Sequence, residues 1–214
     1  MKTLLRSTLI LAAACAAGFA QQWEFGGAGG GNFLNTVNVN GVSGIGSATA
    51  GFQTGAAFGG YIGYSQSRHL GGEIRYGYLQ SNLKLASGGS TATFSGVSHV
   101  AHYDLILKTT RNAGRVQLFA ALGGGLKYFN GTGKEAAYQP LSQFGYFTKT
   151  STVKPMASVG GGVKFAVTKK VFIRTEVRDY ITAFPKELIA PAPGTKYGSI
   201  LHDIVPMVGI GVLM

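Results

Sequence analysis

From about residue 22 onward the chain changes character at every second position. In FIRTEVRDY, residues 172–180, Arg174, Glu176 and Arg178 alternate with Ile173, Thr175 and Val177. Successive side chains of a β-strand point to opposite faces, so this alternation predicts a strand with a charged face and an apolar face. Seven other stretches repeat the pattern. Residues 23–33 form the first. Residues 52–65 place Phe52, Ala56, Phe58, Gly60, Ile62 and Tyr64 on one face, and 70–83 set Leu70, Ile74, Tyr76 and Tyr78 against Glu73 and Arg75. Residues 94–108 set Val97, Ala101, Tyr103, Leu105 and Leu107 against His102 and Asp104. Val116, Leu118, Leu122, Leu126 and Tyr128 mark the fifth strand, and Val159, Val163, Phe165 and Val167 the sixth. Residues 171–184 and 200–214 complete a set of eight.

The connections alternate in length. Segments rich in Gly, Ser, Thr and Asn at about 34–51, 84–93, 130–152 and 185–199 follow the odd strands, and the short SQSRH, TTRNAG and TKK follow the even ones. Long loops at one end and tight turns at the other are the habit of outer-membrane barrels. An even strand number puts both ends of the barrel on the short-turn, periplasmic side.

Composition decides which face is inside. Charged residues make up 13% of the 214 residues, against about 25% in an ordinary soluble domain, glycine numbers 34, and the mean hydropathy is positive. No stretch after residue 20 nears the eighteen or so uninterrupted apolar residues of a spanning helix, which leaves a closed sheet as the way to satisfy the backbone in lipid. A soluble lipocalin-like barrel with reversed polarity is the competing reading. It would need an outer face dense in Lys and Glu, whereas the polar face here is rich in Gly, Ala and Ser. Trp23, Phe33, Tyr64, Tyr76, Tyr78 and Tyr128 also gather toward strand ends on the apolar face, as interfacial girdles do.

The first twenty residues read as an address. Lys2 and Arg6 precede the apolar LILAAACAAG, and Gly18, Phe19 and Ala20 offer a cleavage site, so a signal peptide over 1–20 and a barrel over 21–214 are expected. Acylation of Cys15, the single cysteine, is the alternative; Ala12 stands where such signals carry Leu. Without the segment, 17 basic side chains remain against 8 acidic ones.

That signal, the eight alternating strands, GGEIRYGY and IRTEVRDY as paired charged strands, and HDIVPMVGIGVLM as a last strand together resemble the small outer-membrane β-barrel domains of the OmpA/OmpX type. The resemblance spans the expected mature chain and implies an all-β, eight-stranded, antiparallel up-and-down transmembrane β-barrel in the bacterial outer membrane. Such barrels usually end in an aromatic residue, and this chain ends in Met214. Ile210, Val212 and Met214 nevertheless keep the outward phase.

With the apolar face outward, the inward phase collects Glu24, Glu73, Asp104, Glu176 and Asp203 together with Arg75, His102, Lys127, Lys164, Arg174 and Arg178. Eight strands enclose little more than their own side chains, so these groups should pair into a polar plug. A static plug and a narrow gated conduit both fit that pattern. The expected role is structural or surface interaction through the extracellular loops, followed by a narrow channel and then by a lipid-modifying enzyme. Lys134, Lys149, Lys186 and Lys196 in those loops suit lipid phosphates, including those of lipopolysaccharide, or an acidic surface or host ligand. A monomer without cofactor, and no nucleic-acid partner, are expected.

Other chemistry is weakly signalled. GGAGGGN at 26–32 and the glycine runs at 122–129 and 159–165 lack the helix that a phosphate loop requires; glycine there suits tight coiling and large neighbours lying over bare backbone. His102 and Asp104 are too few for a metal. His99 faces outward near the rim, but Ala101 stands where a lipid hydrolase would want Ser.

Overall fold

The computed structural model describes residues 22–40, 46–109 and 115–214; the expected signal peptide, with Cys15, lies outside them. The described residues form fifteen strands: β1 (Gln22–Leu34), β2 (Val37–Asn40), β3 (Ser47–Phe52), β4 (Gly55–Ser65), β5 (Leu70–Gln80), β6 (Leu83–Ser87), β7 (Ser90–Phe94) and β8 (Gly96–Lys108). They continue with β9 (Val116–Gly131), β10 (Gly145–Phe147), β11 (Ser151–Ala166), β12 (Val171–Ala183), β13 (Ile189–Pro191), β14 (Lys196–Tyr197) and β15 (Ile200–Leu213).

Eight of these form a closed antiparallel barrel in the order β1, β4, β5, β8, β9, β11, β12, β15, with β15 returning to β1. Closure leaves no unpaired edge for lipid to meet. Register then fixes what each face sees. Ile74, Leu122, Leu126, Val208 and Ile210 are exposed on the outer wall, as a surface meant for hydrocarbon requires. Glu73 and Arg75, the strand neighbours of Ile74, are buried. Trp23, Phe33, Tyr76, Tyr78 and Tyr128 are exposed on the same wall.

The long connections are folded. β14, β2, β3, β6 and β7 make a five-stranded sheet, and β10 pairs with β13. Gly88 and Gly89, at φ +54° and +83°, turn β6 into β7 in a two-residue hairpin that only positive φ allows. Several expected boundaries move as a result. Phe52, assigned by alternation to the outer wall, ends β3 and is 3% exposed; Leu83 opens β6 and Phe94 closes β7. The sixth barrel strand begins at Ser151, and Val167 lies beyond its end. Period two continued through these positions, and alternation alone cannot register that the chain has left the barrel wall.

The strands of the long connections enclose an apolar core. Val39, Leu83, Leu85, Phe144, Leu188 and Ile189 are buried together with Phe129, Phe184 and Leu201 from the ends of barrel strands. Phe52 stacks on Phe129 with ring centres 5.6 Å apart, and Phe184 meets Tyr197 edge-on at 5.6 Å. The sheet is thus seated on the barrel mouth as a cap, its apolar side chains buried in a core as in a soluble domain.

Candidate functional site

The candidate site is the lumen. Inward positions of seven of the eight barrel strands converge there because the barrel's period-two pleat turns every second residue to the axis. Glu24, Glu73, Arg75, His102, Asp104, Lys127, Lys164, Arg174, Glu176, Arg178 and Asp203 are all buried.

Glu73 on β5 lies at the centre of the network. It accepts from Arg75 Nε at 3.0 Å, Arg174 Nη1 at 2.5 Å and Arg178 Nη2 at 3.2 Å. Glu176 on β12 shares the same three guanidiniums: Arg174 Nη2 donates to it at 2.8 Å and Arg178 Nε at 3.1 Å, and Arg75 Nη2 pairs with it at 2.7 Å. Arg178 reaches Asp104 through Nη1, and Asp104 also meets His102 Nδ1 at 3.1 Å. The planar guanidinium suits such sharing, since its donors point along several fixed directions at once. Two lysine–carboxylate pairs complete the set, the first of them linked to the cluster through Arg174, 3.7 Å from Glu24. Lys164 Nζ donates to both oxygens of Glu24 at 2.6 Å, and Lys127 Nζ donates to Asp203 at 2.6 Å toward the cap.

Aromatic rings line the same space. Arg174 lies over Tyr61 at 4.4 Å and over Phe119 at 4.3 Å, while Lys164 lies over Phe172 at 5.2 Å. Desolvated cations gain most from ring faces. Tyr180, edge-on to His102 at 5.2 Å, joins an apolar layer with Leu79, Val100, Met156 and Val205. Sequence reasoning missed these inward rings, and it missed Lys108, which is also buried. The signal for Lys108 was available, because it keeps the phase of His102 and Asp104.

The glycine runs have a matching explanation. Gly160, Gly162 and Gly125 sit opposite Arg178, Glu176 and His102 in the strand register. A Cβ at Gly160 would stand 2.5 Å from Arg178 Cδ, and one at Gly125 would stand 2.5 Å from His102 Cβ. Bare backbone on one strand makes room for a large charged side chain on the next.

On the outer wall, His99 Nδ1 lies 2.7 Å from Tyr76 Oη, among the rings of Tyr78 and Tyr128. In the cap, Tyr197 Oη donates to the Phe144 carbonyl at 3.0 Å, and burial pushes its hydroxyl up to about 12. Glu187 is held below the usual carboxylate range chiefly by the hydrogen bond from Lys154, at 2.6 Å.

The family model of the outer membrane protein β-barrel domain matches residues 7–197. The chain belongs to that family. As its family and its closed barrel require, it is a protein of the outer membrane. Solved barrels share the fold at low identity. The outer membrane protein OprG from Pseudomonas aeruginosa is 12% identical with a TM-score of 0.55, covering 89% of this chain and 95% of that one. Neisserial surface protein A is 14% identical with a TM-score of 0.51, covering 89% and 96%. No curated protein matches the chain by sequence.

Proposed function

We propose that this outer-membrane barrel is closed to transport and acts through its extracellular cap, as a monomer that contacts molecules at the cell surface. The observation that carries this reading is the apolar core of the cap. Phe129, Phe184 and Leu201 are fully or almost fully buried at the barrel mouth, above a lumen filled by paired charges. A solute passing through would have to part that core and then the Arg–Glu cluster, whose separation leaves buried charges unpaired at several kcal/mol each.

The cap offers a surface suited to acidic or sugar ligands. Lys134, Lys149, Lys186 and Lys196 are exposed, and Tyr138 and Tyr146 project from the same loops. Cations with flat aromatic faces favour phosphorylated glycolipids such as lipopolysaccharide, or acidic surface polymers. Catalysis is no part of this reading: the outward His99 is engaged by Tyr76, and Ala101 offers no nucleophile.

Planar-bilayer recording of the refolded chain tests the proposal. Silence at all voltages is expected, together with retention of the protein on immobilised lipopolysaccharide that falls as salt rises. Discrete, reproducible conductance steps would put the channel reading in first place.

A further inference from the structure

The charges inside the barrel do not balance. Five carboxylates are buried there, and each meets a lysine, an arginine or His102. Six lysines and arginines are buried with them, and the sixth is Lys108 at the periplasmic end of β8. Its residue is 8% exposed, and its Nζ donates to Ser65 Oγ at 2.6 Å. Among the described residues no carboxylate forms an ion pair with it. Glu24, at the same end of the barrel, is already engaged by Lys164 through both oxygens at 2.6 Å and by Arg174 at 3.7 Å.

The turns around that mouth carry charge of one sign. Arg68 and His69 project from the turn between β4 and β5, Arg115 stands beside the start of β9, and Lys169 and Lys170 occupy the turn between β11 and β12; all are exposed. SQSRH, TTRNAG and TKK contain no acidic residue. The described residues of these turns lie around the mouth because the strands they join are neighbours. Thus the Lys108 amide donates to the His69 carbonyl at 2.8 Å, and the Ala166 amide to that of Arg115 at 2.8 Å.

We propose that the periplasmic mouth is an oxyanion-binding site, with Lys108 and Ser65 as its floor and Arg68, Arg115, Lys169 and Lys170 as its approach. Its ligand is a phosphate group, either free or carried by an inner-leaflet phospholipid. An ammonium has three donors and Lys108 commits one to Ser65, which leaves two for an anion; the Ser65 hydroxyl, accepting from Lys108, keeps its own proton to donate. A buried cation lacking a counter-charge gains most when an anion arrives. The exposed turn charges raise the local anion concentration, an effect that salt screens.

The test uses the full chain refolded in a neutral detergent and titrated calorimetrically with inorganic phosphate at low salt. Saturable binding is expected, weakened about tenfold or more in Lys108→Met, since a hydrogen bond to a charged group is lost. Lys108→Arg should retain it. The triple change Arg68→Gln, Lys169→Gln, Lys170→Gln should weaken binding less and flatten its salt dependence. Unheated gel mobility reports folding of each variant, and Ser65→Ala carries the comparison if Lys108→Met does not fold. A second arm places the protein in nanodiscs of phosphatidylcholine with a minority of phosphatidylglycerol. Retention of phosphatidylglycerol in native mass spectra that depends on Lys108 identifies lipid as the source, and phosphate binding without it identifies the free ion. Absence of both, or binding of equal strength in wild type and Lys108→Met, overturns the site.

Discussion

The lumen and the cap are two interiors built on opposite chemistry within one chain. In the lumen, Glu73, Glu176, Arg75, Arg174 and Arg178 are buried against one another while Leu122 and Ile74 look outward. In the cap, Leu83, Leu85, Phe144 and Ile189 are buried while Lys134, Lys149 and Lys186 look outward. The surrounding medium explains the inversion. Hydrocarbon gives no reward for hiding apolar side chains, so the barrel places its polar groups inside, where each can find a partner. Water does reward it, and the loops, once long enough to pair into a sheet, collapse onto the aromatic ends of the barrel strands. The two interiors should therefore fail differently.

Breaking the lumen should cost most. Glu73→Leu removes a carboxylate shared by three guanidiniums and is expected to lower stability by about 3–5 kcal/mol, the penalty of leaving buried charge uncompensated. It would be read as an earlier urea midpoint for the heat-modifiable gel form and for Trp23 fluorescence. An unchanged midpoint would mean that water enters the lumen and solvates the remaining cations.

Cap variants should cost less and spare the barrel. Leu85→Ala is expected to cost about 2 kcal/mol, at the low end for a core leucine because a water-bathed cap can relax around the gap. Limited proteolysis should then cut within the cap while the barrel fragment stays heat-modifiable. Simultaneous loss of both would show that cap and barrel unfold as one unit.

The smallest effect is pH-dependent and confined to the cap. Tyr197 has its hydroxyl raised to about 12 by burial, above its ordinary value of 10. A raised value means that the folded form favours the proton, so this contribution is complete below pH 10 and declines as pH rises from 10 toward 12. Proteolytic sensitivity of the cap should increase over that interval in wild type and much less in Tyr197→Phe.

The barrel wall was legible because its signal is local. Arg174, Ile173, Glu176 and Val177 declare their faces through spacing alone, and the alternation of short turns with long segments gives the up-and-down order. The cap was not legible. GSATAGF and ASGGSTATF look like polar loop sequence, and their few apolar residues become a core only when β3, β6 and β7 lie side by side. Phe52 illustrates the difficulty: its phase suits the outer wall, yet it stacks on Phe129, which is 77 positions away in the chain.

Period and polarity along the chain were thus enough to determine a strand barrel with lipid outside and charge inside, because a pleated strand translates spacing directly into direction. Three-dimensional closure alone decided which carboxylate holds which guanidinium, that the loops form a sheet over the mouth, and that Lys108 is left without a carboxylate among the described residues. Those outcomes depend on register between strands distant in sequence, where a shift of one residue would exchange the faces and every partner with them.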